Sequence, residues 1–288
     1  MTNHFHRGLN LALGAFLLLG AVLAGALGAP GSPLTGVATT NAADGFAPGC
    51  IGYCKRPTNA GKVFRWGKEA WRREFEDRST SRVQGSWRSN HPELLEQREG
   101  MLTIHVPAHA DHVTVEAADQ SAQYGRWEAR VRAVEESTGA TPFTFVWELT
   151  PGGGTACDDN RIVLSQYEPG DARATGAVVT SSGQAFQYSR PLDLRSRAWH
   201  TYAVEVSPTH VSWFVDTKVI RTERRTAALS GDTFHPEFEI VGQAGQSMNA
   251  SRMQMDWVRY YDLHRPNARP IRAPRMFLQP AQPAQAGC

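Results

Sequence analysis

Arg126-Trp127-Glu128-Ala129-Arg130-Val131-Arg132-Ala133 alternates without a break between charged and apolar residues. Period two is the mark of a strand with one face on a core and one in water. It sends Trp127, Ala129, Val131 and Ala133 inward and the charged side chains outward. Further strand-like runs lie on both sides, at 101–106, 143–149, 161–167, 175–180, 201–206, 211–215, 237–241 and 253–261. Turn formers separate many of them: Pro151-Gly152-Gly153-Gly154, Glu168-Pro169-Gly170-Asp171, Ser182-Gly183 and Ser207-Pro208. Many short strands divided by such turns predict an all-β sandwich or barrel. Only 68–73 leaves room for a short helical turn.

The ends of the chain read differently. Residues 11–29 carry no charge and follow the positive Arg7, and Ala24-Gly25-Ala26 supplies small residues at the end of the apolar run. This is the pattern of a secretory signal peptide over 1–29, with an uncleaved anchor as the alternative. Residues 30–62 form an expected linker and cysteine-containing arm, 63–263 the folded domain, and 264–288 a proline-rich tail or surface wrap. The expected location is secreted or cell envelope, with no stable membrane span once the signal is cleaved. Export makes disulfides the favoured reading of Cys50, Cys54, Cys157 and Cys288. Three pairings are open. Thirty basic residues stand against 28 acidic ones, a net charge of +2. That balance argues against a nucleic-acid reader, which would show a basic excess or stripe.

Several stretches together resemble glycoside hydrolase family 16, the laminarinases, lichenases and related β-glucanases. They are Gln123-Tyr-Gly-Arg-Trp-Glu-Ala-Arg-Val131, Trp199-His-Thr-Tyr-Ala-Val-Glu-Val206 with Val211-Ser-Trp-Phe-Val-Asp216, and Met255-Asp-Trp-Val-Arg-Tyr-Tyr261. Arg73-Glu-Phe75 is similar to the family's opening "DEF". The resemblance implies a concanavalin A-like jelly-roll β-sandwich of two antiparallel sheets, one lining a glycan cleft. It also implies a catalytic strand with acids spaced Glu-x-Asp-x-x-Glu or Glu-x-Asp-x-Glu, two of them acting as nucleophile and acid/base about 5–5.5 Å apart.

The corresponding strand here carries Arg161, Val163 and Gln166 at those three positions. An arginine stays charged and cannot attack an anomeric carbon, and a glutamine amide is no proton shuttle. Asp158, Asp159 and Glu168 are the fallback acids, yet Asp159 and Glu168 lie about 30 Å apart on an extended strand. By alignment on Trp147, Phe143 falls where the family stacks a sugar, so Phe143, Trp147, Arg161 and Gln166 are the expected substrate-binding residues. If Phe143, Phe145 and Trp147 face the cleft, Glu148 has opposite parity and points away. The resemblance offers no cofactor other than a structural calcium, held by Asp256 with the Gly100 carbonyl. The expected function is polysaccharide binding (a β-glucan or a cell-envelope glycan) with little or no hydrolysis. The alternatives are a hydrolase using relocated acids and an adhesin or interaction module.

Overall fold

The computed structural model describes residues 58–75, 87–117, 119–151, 160–194, 197–273 and 282–283, and two antiparallel sheets within them enclose one main apolar core. The expected signal segment, all four cysteines, Asp158 and Asp159 lie outside the described residues. The first sheet contains β1 (Trp71–Arg73), β3 (Leu95–Arg98), β4 (Met101–Val106), β6 (Gly125–Glu135), β11 (His200–Ser207), β12 (His210–Val215), β13 (Lys218–Glu223) and β15 (Ser251–Tyr261). Its order is β13-β12-β11-β6-β15-β4-β3, with β1 also pairing along β15. The second contains β2 (Trp87–Ser89), β5 (His112–Ala117), β7 (Thr144–Pro151), β8 (Arg161–Tyr167), β9 (Arg173–Val179), β10 (Gln184–Pro191), β14 (Phe234–Val241) and the short β16 (Gln282–Pro283). It runs β16-β10-β9-β8-β7-β14-β5-β2. This is the jelly-roll sandwich that the resemblance implies.

Strand β6 explains why the sandwich closes. Trp127, Ala129, Val131 and Ala133 are all buried in the main core, as the alternation requires. The second sheet meets them with Phe145, Trp147, Leu149, Ile162, Leu164, Phe186, Tyr188, Phe238 and Ile240. Gly176 on β9 lies beneath the Tyr188 ring, where any Cβ would collide with it, and the Tyr188 hydroxyl donates to the Leu164 carbonyl at 2.7 Å. That contact ties β10 across β9 to β8, the strand with the family's catalytic positions. Residues 71–73 of the expected helical turn form edge strand β1 instead, pairing with β15.

The charged face of β6 is drier than alternation alone suggests. Residues 58–66 lie over it, with a single helical turn α1 (Ala60–Val63), and Phe64 and Trp66 pack against Phe214 and Tyr261. Arg126 is paired with Glu205 at 2.5 Å, and both are almost fully buried. Glu128 has no exposure and accepts the Ala60 and Gly61 backbone N–H groups at 2.5 and 3.3 Å. The start of the C-terminal tail joins this layer, since the Asn267 carboxamide oxygen accepts from the Trp66 indole N–H at 2.6 Å. The last residues of the expected linker are therefore docked structure.

Burial pushes the Glu128 carboxyl up to about 7, against the two backbone donors that favour its charged form. In the unfolded chain it ionises near 4.5, so between those pH values the folded state keeps a proton that the unfolded state has lost. The Glu128 contribution is fully present below the lower value and is lost as pH rises through the higher one, by on the order of 3 kcal/mol. Glu128→Gln should flatten that part of the stability–pH profile, read from urea midpoints between pH 4.5 and 7.5. Superimposable slopes for the two proteins would show that Glu128 is already ionised in the fold.

Candidate functional site

Arg161, Val163 and Gln166 do share the outer face of the second sheet. Ile162 and Leu164 point into the core between them, and a register shift between Val163 and Gln166 against β9 returns Gln166 to the outer side. Arg161 is 17% exposed at its side chain, Val163 is buried and Gln166 is open to solvent. The strand to which the resemblance assigns the catalytic positions thus has a bulge between Val163 and Gln166 and no carboxylate at the three positions. Beside it, Gln166 stands opposite Thr175, and Thr175 opposite Ser189, so a polar strip crosses β8, β9 and β10.

The expected cleft floor is overturned. Phe143, Phe145 and Trp147 are 0%, 0% and 1% exposed and belong to the main core. The Trp147 ring stacks on Phe238 at 5.5 Å with a 2° interplanar angle. Thr144, Val146, Glu148 and Thr150 take the other parity of β7, so Glu148 joins the outer face instead of pointing away from it. The aromatics are inside because a sandwich sends its largest alternating apolar set to the core.

Glu148 belongs to a row of acids that sequence reading missed. In register across three neighbouring strands stand Glu116 on β5, Glu237 on β14 and Glu148 on β7, and Val163 on β8 comes next. Glu239 lies on the same face two residues after Glu237, with the His112 Nε2 at 3.6 Å. Glu148 is fully buried, and among the described residues neither carboxylate oxygen has a hydrogen-bond partner. Its nearest cation is Arg161, whose Nη1 lies 3.9 Å away. Burial, and then the Glu239 charge, push Glu148 and Glu237 well above the usual carboxylate range. Burial also acts to raise Glu239, but the hydrogen bond and charge of His112, with Arg161, outweigh it and hold this carboxyl low. The signal in the sequence was Glu237-Phe-Glu239, two acids on one strand face, with apolar Phe238 and Ile240 on the other.

The remaining expected residues separate. Glu168 lies just past the far end of β8 from Arg161, in a turn where its backbone N–H donates to Asp171 at 2.9 Å. It does not join the acid row. Gly100 precedes β4, whose Leu102 stands opposite Met255, the residue before Asp256 on the first sheet. The Asp256 carboxylate, however, receives a 2.6 Å hydrogen bond from the Arg130 Nη1. At the Arg161 end of β8 a cavity of about 140 Å³ opens, walled also by Asn160, Val178, Val206 and Leu229.

The family model described as glycosyl hydrolases family 16 matches residues 80–259. No curated protein matches the chain. Among solved structures, the laminarinase from Rhodothermus marinus aligns at 18% identity and a TM-score of 0.56, covering 68% of this chain and 97% of that one. The laminarinase from Flavobacterium sp. UMI-01 aligns at 14% identity and TM-score 0.55, over 68% and 100% of the two chains. The endo-beta-1,3-glucanase from Pyrococcus furiosus aligns at 13% and 0.54, over 68% and 94%. At such identities the likeness to these structures concerns the fold.

Proposed function

The chain belongs to glycosyl hydrolase family 16, and from that premise we propose an exported protein that binds a polysaccharide on the outer face of the second sheet without cleaving it by double displacement. The observation that carries this reading is the outer-facing set Arg161, Val163 and Gln166. The strand keeps its alternation and its bulge, but it offers neither nucleophile nor proton donor. What it does offer, with its neighbours, is hydrogen-bonding surface: Gln166, Thr175, Gln187 and Ser189 stand at outward positions of three adjacent strands. Such amides and hydroxyls suit sugar hydroxyls. Export rests on the uncharged run 11–29 and Ala24-Gly25-Ala26. A mature N-terminus near Leu27 or Ala29 by mass spectrometry would support it, and an intact Met1 in membranes would refute it.

Affinity electrophoresis through gels containing laminarin, lichenan or cell-envelope polysaccharide tests the binding. Retardation is expected in at least one glycan, and Gln166→Ala should weaken it roughly three- to tenfold, the loss of one hydrogen bond. Unretarded migration in every gel would leave a vestigial face and favour the interaction-module reading.

One observation favours a second reading, hydrolysis by relocated acids. Glu237 and Glu239 share a face, and their environments push the two carboxyls in opposite directions, as in sites that divide acid and base roles. Loss of a measured hydrolysis in Glu239→Gln would establish that reading.

A further inference from the structure

We propose that Glu116, His235 and Glu237 bind a divalent cation of the zinc class on the outer face of the second sheet. The register sets Glu116 directly opposite Glu237, and His235 precedes Glu237 by two residues and so shares its face. One ligand atom from each of the three lies within 4.8 Å of the others. His235 is 4% exposed at its side chain, with Nε2 at 3.0 Å from Glu116 Oε2 and 3.2 Å from Thr150 Oγ1. The Thr150 hydroxyl donates to Glu237 Oε2 at 2.9 Å and so bridges that carboxylate and the imidazole. Ligands on a tetrahedral zinc ion lie roughly 3.4 Å apart, given bonds of about 2.0–2.2 Å. The slackest pair therefore has to close by no more than roughly 1.4 Å, a movement within reach of glutamate side-chain rotation.

A second observation points to a cation at this corner. Glu148 stands opposite Glu237 on the other side from Glu116, fully buried, with both oxygens unpartnered among the described residues. Four carboxyl groups, Glu116, Glu148, Glu237 and Glu239, thus crowd three adjacent strands. The guanidinium that reaches into the row is that of Arg161, 3.9 Å from Glu148. A buried carboxylate with no hydrogen bond and only a loose ion pair, to Arg161 at 3.9 Å, is costly, and a divalent ion at Glu237 would offset that cost.

The donor set points to the metal. Calcium takes six to eight oxygens and magnesium keeps several waters, whereas one buried imidazole and two carboxylates suit zinc and its transition-metal neighbours. Glu116 is 30% exposed, so the solvent side of the ion stays open for water. That is the pattern of three protein ligands with a free position. A sugar oxygen in that position would make the ion part of the glycan site, and this last step alone rests on the glycan-binding reading above.

Metal binding is measured without glycan, so its outcome is independent of that reading. The full-length protein, stripped with chelator and kept non-reduced, is titrated with Zn²⁺ by calorimetry and with Co²⁺ by visible absorption. About one equivalent is expected, with a cobalt spectrum of nitrogen and oxygen ligation. His235→Ala and Glu237→Gln should each weaken binding roughly a hundredfold or more, beyond the 10–100-fold typical of groups one shell further out. The more exposed Glu116→Gln should weaken binding while circular dichroism stays unchanged, which separates ligand loss from misfolding. Asp256→Asn on the first sheet should leave binding intact. Thiolate charge-transfer bands, full affinity in folded Glu116→Gln, or no binding by the unsubstituted protein would each overturn the proposal.

Discussion

Purified protein incubated with laminarin, lichenan or agarose should release reducing ends at the background rate. Retaining hydrolysis needs two carboxyl groups about 5–5.5 Å apart, both in contact with the sugar. Arg161, Val163 and Gln166 occupy the outer positions of β8 where the family resemblance places those groups. Removal of groups that act as a unit costs on the order of a millionfold in kcat, far more than a residual electrostatic effect of the acid row could conceal. Turnover at ordinary rates, roughly 1–10³ per second, would defeat this expectation and transfer the chemistry to Glu237 and Glu239. Reinstating the pattern with Arg161→Glu, Val163→Asp and Gln166→Glu should not by itself restore activity. Val163 stands beside Glu148 in register, and Arg161 is the cation nearest to it. The triple variant would therefore crowd new acids onto an already acidic row and remove its counterion. Adding Glu148→Gln should relieve that crowding, so the fourfold variant is the better test of the cleft.

Much of this architecture was readable from residue order. The alternation at 126–133 predicted the inward set of β6, and the order of the family-like stretches predicted the two-sheet sandwich. The replaced acids were visible as residue types. Three things were not, each for a physical reason. The acid row is assembled by register between β5, β14 and β7, which lie far apart in sequence, and no local pattern encodes such pairing. Glu148 was misplaced because alignment on Trp147 put Phe143 at a sugar-stacking position and turned that face of the strand to the cleft, whereas core packing claimed the aromatics. The docked residues 58–62 looked like linker because a single helical turn carries too few residues for periodicity. Strand β5 had the signal, with Val113, Val115 and Ala117 alternating against His112, Thr114 and Glu116. Its second acid-bearing face simply lacked a partner until the register supplied one.

Trp147→Ala should destabilise the fold by about 3–5 kcal/mol, the usual cost of removing a large aromatic from a packed core. For a domain of this size that is a fall in Tm of roughly 10 °C or more. Trp147 is 1% exposed and stacks face to face on Phe238, whose strand also carries Glu237 and Glu239. Its removal opens a void directly beneath the acid row. The opposite orientation, with Trp147 flooring a cleft, makes the reverse prediction: stability nearly unchanged and glycan affinity lost. Gln166→Ala provides the internal comparison, because Gln166 is exposed on the neighbouring strand and leaves no void when truncated. Thermal melts and affinity electrophoresis of the two variants should therefore give crossed results, Trp147→Ala losing stability and Gln166→Ala losing affinity. A Trp147→Ala protein that melts with the parent but no longer binds glycan would place the indole on the ligand side, and the inward face of β7 would have to be reassigned.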